Sequence, residues 1–335
     1  MRIGVTYDLR SDYLAVGYSE EETAEFDSEV TIDAICDALA SFGWKVTRIG
    51  GVKALAQALV GGERWDAIFN FCEGLKGLAR EAQAPALLDA YDIPYVFSDT
   101  LTLALSLDKS MAKRVVRDCG IPTPDFAVIE RVADLRHLDL LFPLFLKPVA
   151  EGSGKGVNAK SKVEDPTALK RVAAELLARF QQPVLVETFL PGREFTVGIL
   201  GTGDEARVLG VSEIVPKEHW VGDGYGFENK EEGWQDKVAI IGADAASAKA
   251  AGRVALAAWS ALRCRDGGRV DIRNDANGQP NFIEVNPVAG LRPEHSDLCL
   301  IAARAGLTHR DLIGRIMDSF LKRNPALGAR LRVAA

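Results

Sequence analysis

Hydrophobic and polar positions alternate along the first third of the chain in two different periods. Residues 2–7 (RIGVTY), 45–49 and 66–72 (DAIFNFC) form short apolar runs of strand length, with a further short strand expected near 94–97. Between them, residues 28–43, residues 53–60 and the stretch through APALLDAY place apolar side chains at helical spacing. Strands alternating with helices predict a parallel, doubly wound sheet. Residues 101–119 (LTLALSLDKSMAKRVVRDC) read as one amphipathic helix, closed by Gly120 and Pro122.

The pattern then changes. Strands are expected at 125–129 and 143–149 around a helix at 132–139, followed by a glycine-rich loop, EGSGKGV (151–157), and a helix at 166–180. Residues 184–190, 194–200 and 206–215 are strands with no helix between them, so this half reads as an antiparallel, α+β arrangement. Residues 217–238 form a long polar segment, and loops of that length in a compact domain serve function or are disordered. A helix at 244–262 precedes a hairpin at 268–286; helices at 296–305 and 308–322 end the fold, with a frayed tail from Pro325.

Composition narrows the classes. The chain has 335 residues with 40 Lys+Arg against 47 Asp+Glu, a net charge of −7, which argues against a general nucleic-acid footprint. No apolar run approaches the roughly 20 residues of a membrane helix, and the start shows no apolar core of a signal peptide. Five scattered cysteines without a CxxC pair fit reduced thiols in a cytoplasmic protein rather than a zinc site.

The hairpin GRVDIRNDANGQPNFIEVN carries the strongest chemistry. A two-residue turn centred on Asn277-Gly278 would set Asp271 opposite Glu284 and Arg269 opposite Asn286, all four on one face. Two carboxylates and an amide oxygen are hard ligands suited to one or two Mg²⁺ ions, with nucleotide phosphates completing the shell. The bland alternative, a solvated charged face, is disfavoured by the apolar Val270, Ile272, Phe282, Ile283 and Val285 around the array. EGSGKGV can wrap an anion with its backbone amides, although it is not a Walker A loop because Val149 or Ala150 stands where Gly is required. Lys147, in the apolar run FPLFLKPV, calls for an anionic partner. Lys109 taken alone reads as a solvated helix residue.

Taken in order, LSLDK (105–109), FPLFLKPVAEGSGKGV (142–157), VLVETFLPGREFTVGILG (184–201), CRDGGRVDIRNDANGQPNFIEVNPVAG (264–290) and AARAGLTHRDLIGRIM (302–317) resemble the D-alanine–D-alanine ligases of the ATP-grasp superfamily. The resemblance implies an α/β N-terminal domain at 1–97 and α+β ATP-grasp domains at 98–186 and 187–335, with ATP gripped between the last two. It implies that Lys109 and Lys147 contact the ATP phosphates, Glu187 the adenine amino group, Phe189 and Leu190 the adenine pocket, and Glu194 the ribose. Asp271, Glu284 and Asn286 match its Mg²⁺ ligands, for which Mn²⁺ is an expected substitute. Arg269 matches the arginine on the transferring phosphate and the oxyanion, Glu29 the anchor of the first substrate's ammonium, and Ser153 a serine of the same network.

Departures gather at the substrate end. Lys230 is retained in the mobile loop, but Glu231 stands where a tyrosine is usual. The segment NPVAGLRPEHSDL places Gly290, Arg292 and His295 in the substrate region, and Glu73 replaces a usual histidine. YDLRSDYLAVGYSEEE replaces a glycine-rich loop. The reading is therefore an ATP-dependent carboxylate–amine ligase acting on small amino-acid-like substrates through an acyl phosphate, with a substrate other than D-alanine. The alternatives are a genuine D-alanine–D-alanine ligase and an inactive nucleotide-binding protein. No nucleic acid or membrane partner is expected, and a homodimer is left open.

Overall fold

A computed structural model of the chain describes residues 1–220, 222–224, 226, 229 and 234–328. β1 (Arg2–Tyr7) lies between β2 (Lys45–Gly50) and β3 (Ala67–Phe71) in a parallel sheet, with the helices Glu29–Ala40 and Val52–Val60 making the crossovers. The strand expected near 94–97 is only a bridge between Ile68 and Tyr95. No period announces the short helix Arg10–Ala15, because it buries none of its residues. The core of this unit is completed from the far end of the chain. Leu312, Ile316 and Phe320 of the helix His309–Arg323 pack with Ile3, Val5, Ile32 and Ile35.

A second, antiparallel sheet has the order β4 (Phe126–Ile129), β7 (Val184–Thr188), β5 (Leu144–Pro148), β6 (Lys162–Val163). The helix Pro166–Phe180 covers it with Leu169, Val172, Ala173 and Leu176, and starts where Asp165 accepts from the Thr167 and Ala168 amides. The expected boundary between 186 and 187 falls inside β7. The helix expected at 132–139 is a 3₁₀ segment, Val132–His137.

The third sheet is antiparallel in the order β10 (Val238–Gly242), β9 (Arg207–Pro216), β8 (Glu194–Leu200), β11 (Gly267–Asn274), β12 (Pro280–Asn286). The helix Ala245–Ala261 packs on it through Val254, Ala258 and Trp259.

One correction bears on the site. The single helix expected over 101–119 is two, Thr100–Leu107 and Lys109–Asp118. Asp108 between them is extended, and its carboxylate accepts from the Met111 amide at 3.0 Å. An aspartate that caps a new helix stops the old one, although the apolar period runs on through it. The break sets Lys109 in the first turn of the second helix, buried at the junction of the second and third sheets.

Candidate active site

β11 and β12 pair Asp271 with Glu284 and Arg269 with Asn286, as the one-face array requires. The expected turn is not the one that forms. Asp275 closes the hairpin, with the Gly278 amide on its carbonyl at 3.1 Å and its carboxylate accepting from the Asn277 and Gln279 amides. Only Gly278 takes positive φ, whereas a type I′ turn needs it at Asn277 as well. The pairs next to this turn, such as Ile272 with Phe282, are therefore shifted by one residue, and a bulge at Ile283 shifts them back. Two irregularities cancel, and the chemical face survives.

That face opens on a cleft of about 770 Å³ between the second and third sheets, lined by Lys109, Lys147, Glu187, Phe189, Leu190, Glu194, Asp271 and Glu284 among others. At one end Lys147 Nζ meets Glu187 Oε1 at 2.7 Å, the anionic partner its buried position demands. Lys109 Nζ lies 3.3 Å from Glu284 Oε2, so Lys109 is a buried cleft residue and not a solvated one. Arg269 pairs with Asp271 across the hairpin face. At the other end the rings of Phe145 and Phe189 lie near-parallel, 6.2 Å apart, and Arg273 bridges the Phe189 face and Glu194. The loop 151–157 turns tightly: the Lys155 amide bonds to the Gly152 carbonyl and the Val157 amide to that of Gly154, both at 3.0 Å. A side chain at Gly156 would sit 2.6 Å from Pro148, so the turn needs glycine there.

A second cavity of about 750 Å³ adjoins the first and shares Lys109, Glu151 and Glu284 with it. Arg269, Asn286, Ser153 and Gly290 line it, and so do Glu25, Asp27, Glu73 and Glu81. Burial would raise the Glu25 carboxyl, but Arg80 at 2.8 Å and Lys155 at 3.3 Å together hold it below the usual range. The others are pushed up. Burial takes Asp27 to about 7 despite its Thr31 hydrogen bond, and burial with the neighbouring acids takes Glu73 well above the usual carboxyl range. Glu81 reaches about 7, because burial outweighs the nearby Arg80.

Several expected residues are not brought to the site. Glu29 is exposed at the start of its helix and paired with Arg48, outside both cavities. The resemblance places it as the ammonium anchor; the acids the fold delivers instead come from residues 25, 27, 73 and 81. Arg292 is exposed and lines neither cavity, while His295 lies with its ring 6.0 Å from that of Trp234. Lys230 and Glu231 lie outside the described residues. Lys113, which sequence reasoning missed, is fully buried and holds Glu187 Oε2 at 2.9 Å. Burial pushes its ammonium down to about 8 against the pull of Glu187. Its position one helical turn after Lys109 was the available signal. Glu25, Asp27 and Glu81 had none.

A family model described as D-ala D-ala ligase C-terminus matches residues 115–318. The chain belongs to the D-alanine–D-alanine ligase family. Within it, D-alanine–D-alanine ligase B of Xanthomonas campestris pv. campestris is 32% identical over 304 residues, 88% of this chain and 91% of that protein. The D-alanine–D-alanine ligase of Bordetella pertussis is 36% identical over 271 residues, 80% and 81% of the two chains. The Bacillus anthracis D-alanine–D-alanine ligase complexed with ATP aligns over 97% of this chain and 99% of its own, with a TM-score of 0.73 at 22% identity. The VanG D-Ala:D-Ser ligase from Enterococcus faecalis does so over 95% and 99%, with 0.74 at 21%. That likeness establishes the ATP-grasp fold. As a D-alanine–D-alanine ligase family member, the chain is an ATP-dependent ligase. No helix among the described residues is long and apolar enough to cross a membrane.

Proposed function

We propose that this ligase joins a carboxylate to an amine through an acyl phosphate, and that its amine-side substrate carries more positive charge than D-alanine. The observation that carries the reading is the shared wall: Lys109, Glu151 and Glu284 belong to both the aromatic-ended cleft and the acid-lined cavity. A nucleotide whose base lies by Phe189 and whose phosphates lie by Lys109 and Lys147 would present its last phosphate to a substrate in the cavity.

In the first step a substrate carboxylate oxygen bonds to the γ-phosphorus of ATP and the bond to ADP breaks. Lys109 and Lys147 offset the charge on the phosphoryl oxygens. In the second, an amine attacks the acyl carbon and phosphate leaves, with Arg269 and the 152–156 loop amides other than those of Gly152 and Lys155, which are bonded to Glu25 and within the loop, holding the oxyanion. The described part of residues 217–238 reaches the cleft: Gly224 lines it and the Asp223 carbonyl accepts from Arg273 at 2.6 Å. This supports a lid that keeps water from the acyl phosphate.

The donor set fits Mg²⁺. The cleft wall carries five carboxylates against four cationic side chains, so a polyphosphate needs further positive charge to enter. Among the described residues no three His, Cys, Asp or Glu side chains form a metal group, but Asp271, Glu284 and the Asn286 amide would together supply three hard ligands on one face. Mg²⁺ held there would supply charge neutralisation at the phosphate oxygens.

The acid-lined cavity supports the substrate reading. The carboxyls of Glu73 and Glu81, half-buried on the cavity wall, make no hydrogen bond or ion pair among the described residues, and a desolvated acid without a partner favours a cationic ligand. A coupled assay for ADP release over D-alanine, neutral amino acids, basic amino acids and diamines tests both parts. Release stimulated most by a basic amine is expected. Efficient D-alanyl-D-alanine synthesis would sink the substrate reading, and release indifferent to every amine would sink the ligase reading.

A further inference from the structure

Lys113 lines neither cavity, yet it holds the charge balance of the cleft from behind. Its ammonium donates to Thr123 Oγ1 at 2.9 Å and to the Phe282 carbonyl at 3.3 Å, and it is ion-paired with Glu187 Oε2 at 2.9 Å without the geometry of a hydrogen bond. The other oxygen of Glu187 belongs to Lys147, at 2.7 Å. Two buried cations thus share one buried anion. One positive charge is left over, and of the two lysines only Lys147 faces the cleft. Without Lys113, Lys147 and Glu187 would close on each other as a neutral pair, and the cleft wall already carries one more acid than it has cations.

We infer that Lys113 is a positioning residue for nucleotide binding. By occupying one oxygen of Glu187 it leaves the charge of Lys147 to the phosphates. Through the Phe282 carbonyl it also fixes β12, which carries Glu284 and Asn286, to the sheet that carries Lys147. Thr123 reinforces that junction, its hydroxyl donating to the same carbonyl at 2.9 Å while the Phe282 amide donates to the Pro122 carbonyl at 2.7 Å. The inference rests on the reading of the cleft as a nucleotide site.

The test is the affinity for ATP relative to adenosine, measured by calorimetry on the full chain at pH 7 with Mg²⁺. Lys113→Met should weaken ATP at least tenfold and adenosine by less than threefold. The double variant Lys113→Met/Glu187→Gln should recover a large part of the ATP-to-adenosine ratio, because removing the charge on Glu187 frees Lys147 again. If the Met variant does not fold, Lys113→Gln, which keeps a neutral donor for the Phe282 carbonyl, should show the same collapse of the ratio. An unchanged ratio in a folded variant, even with a lowered Tm, makes Lys113 structural only and overturns the inference. A double variant no better than the single one overturns its action through Glu187. Wild-type protein that binds adenosine but not ATP overturns the nucleotide reading itself, and this inference with it.

Discussion

The two cavities adjoin and solve the problem of desolvated charge in opposite ways. In the aromatic-ended cleft the acids are matched by nearby cations: Glu187 with Lys147 and Lys113, Glu151 with Lys155, Glu194 with Arg273, Asp271 with Arg269 and Glu284 with Lys109. Burial alone would raise the Glu187 carboxyl, but its two lysines hold it below the ordinary range. In the adjoining cavity, Arg80 and Lys155 serve Glu25 while Glu73 and Glu81 face the space without an ion pair among the described residues, and their carboxyls rise. One fold thus keeps the acids of one cavity ion-paired while two acids of the adjoining cavity have no ion-pair partner among the described residues.

Breaking the ion-paired cleft should have the largest effect. Asp271→Asn or Glu284→Gln should lower ADP formation by roughly a hundredfold or more, the scale of losing a group that offsets transition-state charge, with the circular dichroism of the fold retained. Near-normal turnover with Mg²⁺ present would contradict the metal assignment. The second site should respond more gently and more selectively. Glu73→Gln or Glu81→Gln should raise KM for a cationic amine by about tenfold, the scale of one charge-assisted contact, with KM for ATP unchanged. Equal changes in both constants would place these acids outside the substrate's reach.

The smallest effect is on stability. A carboxyl whose folded value is raised to about 7, as for Glu81, makes the folded chain bind more protons than the unfolded one between about pH 4 and pH 7. Stability therefore falls as pH rises through that window, and the full loss is present above it. Glu81→Gln should raise Tm at pH 8, and the gain should shrink toward pH 5. A gain that is independent of pH would show that the buried charge of Glu81 is not its source.

What could be read from the sequence follows how local the cause was. The one-face array was legible because residues two apart share a side of a strand, and Arg269, Asp271, Glu284 and Asn286 keep that relation. The turn behind them was misread: Asp275, not Asn277-Gly278, organises the hairpin, and the bulge at Ile283 hides the error. The break at Asp108 had a signal in its capping side chain, overridden by the apolar period around it. The acid-lined cavity was only partly legible. Glu73 stood out as a replacement, but Glu25 and Glu81 join it only because residues 25 and 80 dock at the loop 151–157, where Glu25 accepts from the Gly152 amide and Arg80 donates to the carbonyl of Ala150 just before the loop at 2.8 Å. Such long-range packing leaves no periodic trace, and the resemblance pointed to Glu29 in its place.

The contrast between the two cavities is tested most directly by kcat/KM for D-alanine and for a basic amino acid or diamine on the same wild-type preparation, with the product identified by mass. The account predicts that ATP is consumed in both cases, that the cationic amine is preferred by at least an order of magnitude, the scale on which a pocket of unpaired polar groups discriminates, and that the product is an amide of that amine. Efficient formation of D-alanyl-D-alanine, with no advantage for the cationic amine, would contradict it.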